Sequence, residues 1–163
     1  MNRAPDSMEP EEVAGPHLVD IGLDAFPPYL MNRIMGRYNA ELRSEMAKLG
    51  LTTPKMRTIA VLRLHDGIPA TRLAVLAVIE QSTLSRALDG MVAEGLVRRE
   101  ADPSDNRAAR LYLTDAGRAA FDALWPRMSS ETEAMFRGIP PEERAAFVRT
   151  LHRMLDNVRI HPF

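Results

Sequence analysis

The hexapeptide QSTLSR, residues 81–86, holds five hydrogen-bonding side chains: Gln81, Ser82, Thr83, Ser85 and Arg86. Gln pairs the edge of adenine, Arg pairs guanine, and Ser or Thr binds phosphate oxygens, so this set suits contact with duplex nucleic acid. The plain alternative is an ordinary helix start with a capping serine. A second set lies in DPSDNRAARLYLT, residues 102–114. Asp102-Pro103 and Asp105-Asn106 are turn formers. Leu111 and Leu113 alternating with Arg110 and Tyr112 read as a strand. Arg107 is therefore expected at a loop tip. Surface pairing there is worth only about 0–1 kcal/mol, so folding alone barely explains the cation. Arg98, Arg99 and Arg110 fall on the flanking strands, where a solvated face and a phosphate contact are equal readings for Arg98 and Arg99.

Other chemistries find little support. There is no HExxH, P-loop, G-x-S-x-G or dinucleotide fingerprint, so no enzyme activity and no cofactor is expected. Cysteine is absent, which excludes disulfides and thiolate metal sites and fits a reducing cytoplasm. His152 and Asp156 lie one helical turn apart, but no third ligand stands nearby in sequence, so a local pair is expected and no metal site. His65 precedes Asp66 at a helix end and reads as structural. No apolar run is long enough to cross a bilayer, and MNRAPDSMEPEEVAG lacks the apolar core of a secretory signal.

The net charge of −1 is poor for a nucleic-acid binder; its distribution says more. In residues 1–20, Arg3 stands against Asp6, Glu9, Glu11, Glu12 and Asp20, a net of −4. Residues 54–118 hold ten Lys and Arg against eight Asp and Glu, a net of +2. That excess is too small to identify a DNA-binding protein by itself.

The elements that must position these residues follow from the punctuation. Residues 1–16 are acidic and rich in Pro and Gly, and read as a disordered tail. Pro27-Pro28 opens a helix in which Leu30, Ile34, Tyr38, Leu42 and Met46 form a stripe, widened by Met31, Met35 and Leu49 and ended by Gly50. Thr52-Thr53-Pro54 caps a second helix, with Met56, Ile59, Ala60 and Leu62 facing the core. A short third helix begins at Pro69. A fourth, over about residues 81–94, carries Leu84, Leu88, Met91 and Val92 on one face and closes at Gly95. Two strands follow, LVRRE and ARLYL. Thr114 caps a long fifth helix, which Pro126 should kink or interrupt. Pro140-Pro141 starts the last helix, with Phe147, Val148, Leu151, Met154, Leu155 and Val158. Helix, helix, short helix, helix, hairpin, helix, helix is a mainly α arrangement with a small two-stranded β wing: a winged helix-turn-helix.

Three segments, in this order and spacing, resemble the MarR family of bacterial transcriptional regulators: LGLTTPKMRTIAVLRL, STLSRALDGMVAEGLVRRE and DPSDNRAARLYLTDAGR. The last fits the family's wing pattern at Asp105, Arg107, Leu111, Leu113, Thr114 and Gly117. The resemblance runs from about residue 28 to residue 158. Pro69 stands where the family has a Ser or Thr cap. Val78 stands where the turn often has Gly, and since a β-branched residue resists positive φ, this turn is expected to be built differently. Val75 and Leu76 replace typically polar positions.

The resemblance implies a homodimer held by N- and C-terminal helices, binding double-stranded DNA at a palindromic operator and answering to a small aromatic or phenolic effector. It places the tail at 1–20, an N-terminal dimerisation helix at 21–52, the DNA-binding lobe at 53–118 and C-terminal dimerisation helices at 119–163. It assigns DNA contact to Gln81, Ser82, Thr83, Ser85, Arg86, Arg99, Asp105 and Arg107, and an effector pocket to Tyr38, Met56 and Arg57. The function expected is that of a cytoplasmic transcriptional regulator, a repressor by preference. The alternative is a winged-helix protein-interaction module that keeps the dimer helices but has no use for Arg107 or the polar start of the fourth helix. Met31, Met35, Met46 and Met56 read first as core filler.

Overall fold

The structure, a computed structural model, describes residues 17–103 and 105–161, with the side chains of residues 105–108 outside the description. Two units, divided between Arg37 and Tyr38, are described separately. In the first, a helical turn α1 (Leu18–Ile21) and a 3-10 turn (Leu23–Ala25) precede α2 (Pro27–Lys48). Residues 18–20, assigned to the tail from sequence, are thus helical. Along this part of α2, Leu30, Ile34 and Met35 are exposed.

The second unit begins with the rest of α2 and continues through α3 (Thr53–Leu64), β1 (Ile68–Pro69), α4 (Ala70–Ala77), α5 (Gln81–Ala93), β2 (Val97–Asp102), β3 (Asp105–Leu113), α6 (Asp115–Met135) and α7 (Pro141–Val158). Gly50, at φ 65°, follows the end of α2, and Leu51 N returns to Met46 O at 2.8 Å. The Thr52 hydroxyl caps α3 by accepting from Lys55 N at 3.4 Å, with Pro54 in the first turn, where its missing N–H costs nothing. One core joins Leu42 and Met46 of α2 to Met56, Ile59 and Leu62 of α3, Leu73 of α4, Leu84, Leu88 and Met91 of α5, Val97, Leu111 and Leu113 of the sheet, and Leu124 of α6. Val92, expected on the buried face of α5, is exposed, and Ala60 is only half-buried.

The hairpin β2–β3 carries a third strand. β1 pairs with β3 at Ile68↔Leu111 and Pro69↔Arg110, giving the order β1-β3-β2. Pro69 sits on an edge strand, where its missing donor is tolerated. The last helix α7 buries no residue: Leu155 is 58% and Val158 73% exposed, with Phe147, Val148 and Met154 also open. α6 runs through Pro126, so of the kink or interruption expected there the interruption does not occur. Pro126 and Asp122, four residues before it, are both exposed, so water can satisfy the carbonyl that loses its partner.

Candidate nucleic-acid interface

The face of α5 opposite the core is built from its own periodicity. Leu84, Leu88 and Met91 are buried at three- and four-residue spacing. That leaves Gln81, Ser82, Ser85 and Arg86 exposed and Thr83 half-buried. Glu80 is the N-cap residue and makes no side-chain cap bond. The capping-serine reading of this stretch therefore fails. Ser82 lies inside the helix, and the first-turn N–H groups stand beside exposed hydroxyls, an arrangement suited to phosphate oxygens.

Two contacts fix this helix in the lobe. Lys55 Nζ on α3 pairs with both oxygens of Glu94 just past α5, at 2.5 and 2.6 Å. Arg99 on β2 reaches Asp89 on α5 at 2.7 Å. Arg99 pairs in register with buried Leu111, so it leaves the sheet on the side of the core and α5. It was proposed from sequence as a DNA contact. Its guanidinium is held by a carboxylate, though 41% of the side chain remains exposed. On the other sheet face Arg98 lies over the Tyr112 ring at 4.3 Å and pairs with Glu100. Tyr112 also covers Gly67, where a Cβ would meet the ring at 3.0 Å.

The wing is longer than the sequence suggested. β3 begins at Asp105, so Arg107 is a strand residue by backbone and not a loop tip. The pairing Asp102↔Asp105 closes the hairpin, and the register shifts between Ala101 and Asp102, opposite the segment that contains Arg107. The side chains of Asp105 and Arg107 lie outside the described residues. Near the wing end Asp102 is buried, its side chain 8% exposed, with Arg110 Nε 2.8 Å from its Oδ2. The contact is a close ion pair rather than an aligned hydrogen bond, because Arg110 Nε has no hydrogen-bond partner. Arg110 Nη1 donates to Gly67 O at 3.0 Å, tying β3 to the turn before β1. At the base, Asp66 accepts from Leu113 N at 2.7 Å and from Arg118 at 3.2 Å. Sequence reading missed Asp66, Asp102 and Lys55, since their partners are distant along the chain and no local pattern links them.

The three pocket candidates make different contacts. Met56 is part of the core. Tyr38 packs against that core, and burial raises its phenol above the usual pKa near 10, a rise that hydrogen bonding with Thr132 partly opposes. Arg127 pairs with Glu41, three residues after Tyr38, at 3.2 Å and with Glu131 at 2.8 Å, linking α2 and α6. Arg57 turns instead to the helix-turn-helix, donating to Val78 O at 3.1 Å. Val78 itself adopts the left-handed conformation, φ 53° and ψ 55°. The turn is thus built with the geometry a glycine would supply, and the expectation of a different construction is overturned. Asp156 pairs with Arg159 at 3.4 Å, so the His152–Asp156 pair gives way to a neighbour better matched in charge. Among the described residues no group of three or more His, Cys, Asp or Glu could hold a metal ion.

Comparison with known proteins meets this geometry. A family model described as MarR family matches residues 49–108, the segment from the end of α2 through α5 to the wing. A crystal structure of a MarR family transcriptional regulator from Silicibacter pomeroyi is 57% identical, covers 91% of this chain and 100% of its own, and superposes with a TM-score of 0.86. The HTH-type transcriptional repressor NicR of Pseudomonas putida is 26% identical over 79% of this chain and 82% of its own. BpsR of Bordetella bronchiseptica, whose structure concerns regulation of its DNA binding by 6-hydroxynicotinic acid, is 26% identical over 78% of this chain and 97% of its own, with a TM-score of 0.68. The matched segment contains α5, β2 with Arg99 and the start of β3 with Arg107, and the fold agreement extends over the flanking helices: the chain belongs to the MarR family of transcriptional regulators.

Proposed function

We propose that the chain is a ligand-responsive transcriptional repressor that binds a palindromic DNA operator as a homodimer in the cytoplasm. The observation that carries this reading is the first half of α5. Its apolar side is fully buried, and its polar side, from Gln81 to Arg86, is open and free of any capping duty. A helix so presented enters a major groove with base-reading groups leading. Arg107, in the wing beside it, supplies the cation for the adjacent minor groove, where a narrow groove concentrates negative potential. Ser82, Thr83 and Ser85 bind phosphate and fix register, while Gln81 and Arg86 read base edges.

Exposed apolar residues support a dimer: Phe147, Val148, Leu155 and Val158 of α7, and Leu30, Ile34 and Met35 of α2, are typical of helices that bury a second copy. A two-fold dimer places its reading helices about 34 Å apart, one turn of duplex. An effector that binds one spacing of these helices better than another shifts DNA occupancy in proportion to that difference. The relatedness to BpsR favours an aromatic carboxylic acid as the effector class. No helix among the described residues is long and apolar enough to cross a membrane.

The test is selection of bound duplexes from a random pool, followed by competition with a panel of phenolic, benzoic and nicotinic acids. Recovery of a palindromic motif, and its release by members of the panel, supports the reading. Recovery of no motif rejects it.

A further inference from the structure

Val78 is, among the described residues, the one non-glycine position with positive φ. It is also 76% exposed, so its side chain gains no burial to offset the conformation. A β-branched residue is disfavoured in the left-handed region by roughly tenfold. The local bonds that accompany it are Val78 N to Val75 O at 3.1 Å and Ile79 N to Ala74 O at 3.0 Å. The third support comes from outside the turn. Arg57 Nη1 donates to Val78 O at 3.1 Å, across 21 residues of sequence. Arg57 is rigidly based, since its neighbours Met56 and Thr58 are buried in α3. Only Ile79 and Glu80 separate Val78 from α5, so a change in the Val78 dihedrals bears first on the N-terminal turn of that helix, the end that carries Gln81 to Arg86.

We propose that Arg57 is a positioning residue for DNA recognition: its guanidinium holds Val78 in the left-handed conformation that aims α5. The role rests on the DNA-binding reading above and extends it to a residue that need not touch DNA. A hydrogen bond from a guanidinium at an exposed site is worth about three- to tenfold in an equilibrium, comparable with the cost at Val78. Without it the turn samples other wells. The apparent affinity then falls by the fraction of molecules that still hold α5 in place.

The test uses four proteins: wild type, Arg57→Ala, Val78→Gly and the double variant. Amide hydrogen exchange is followed at Val78 and Ile79. Affinity for the selected operator is measured across a salt series, and circular dichroism verifies the fold. Arg57→Ala should speed exchange at these amides and weaken operator binding about three- to tenfold, with the salt slope unchanged. In the Val78→Gly background, where glycine adopts the left-handed region unaided, the same change should cost less than about twofold. Unchanged exchange in Arg57→Ala overturns the proposal. So does an equal loss of affinity in both backgrounds. A salt slope lowered by about 0.9 would make Arg57 a phosphate contact instead. The exchange measurement needs no DNA, so it judges the strap even if the wild type binds no duplex, a result that would overturn the DNA reading itself.

Discussion

Gly117→Ala should destabilise the chain by about 2–4 kcal/mol, although alanine is the better helix former. Gly117 lies in the first turn of α6, packed on the wing. A Cβ there would stand 2.2 Å from Leu96 O and 2.7 Å from Leu113 Cδ1. Carbon–oxygen contacts settle near 3.3–3.6 Å, so the helix would have to withdraw by roughly 1 Å. The carbonyl cannot easily yield, because it accepts from Thr114 N at 3.1 Å and Thr114 Oγ1 at 3.0 Å. The single hydrogen of Thr114 Oγ1 is shared with the nearer Gly95 O at 2.6 Å, and the same oxygen accepts from Gly117 N at 3.1 Å. Losing part of this junction costs about 1 kcal/mol per bond, and overpacking adds about 1–3 kcal/mol. The gain in helix propensity returns about 1 kcal/mol. The control is Gly90→Ala in α5, where a Cβ meets nothing within 4 Å; it should stabilise by about 0.5–1 kcal/mol. Urea unfolding followed by circular dichroism reads both. A lowered midpoint for Gly117→Ala with unchanged slope is the expected result, and a melting point about 4–16 °C lower should accompany it. A Gly117→Ala protein as stable as Gly90→Ala would refute the junction argument.

Two further outcomes are expected. Replacing Phe147, Leu155 and Val158 by serine should convert a dimer into a monomer in sedimentation velocity with little loss of helix; a wild-type chain that sediments as a monomer contradicts the dimer. The phenol of Tyr38 is held protonated by burial, so its contribution to stability is intact below pH about 10 and is lost as pH rises through the higher folded value; Tyr38→Phe should flatten that alkaline decline in urea midpoints, and an identical decline would show that burial does not govern this group.

Helix ends were the most legible part of the chain. Pro27, Gly50, Thr52, Thr114 and Pro140-Pro141 each act through their own backbone or side chain, so their effect is local and readable. Leu84, Leu88 and Met91 were readable from spacing alone. What could not be read depended on partners far along the chain. Val78 takes a conformation that its own β-branching opposes, with a carbonyl bond from Arg57 that no short motif announces. β1 is two residues long and contains a proline, and it exists because β3 offers it an edge. The turn formers Asp105 and Asn106 lie in β3, where Asp105 pairs with Asp102 of β2. Arg99 reads from sequence equally as a solvated residue or a phosphate contact, and only the sheet register reveals that it emerges toward Asp89.

The central claim is that α5 and the wing read duplex DNA together. It is tested most directly by the affinity of wild type and Arg107→Ala for the selected operator and for a scrambled duplex, each across a salt series. The account predicts a linear fall of log affinity with log salt for the wild type and a clear preference for the operator. It also predicts that Arg107→Ala loses about 1–3 kcal/mol on the operator with the dimer and melting point intact. Equal binding of both duplexes by the wild type, or no binding of either, would contradict it.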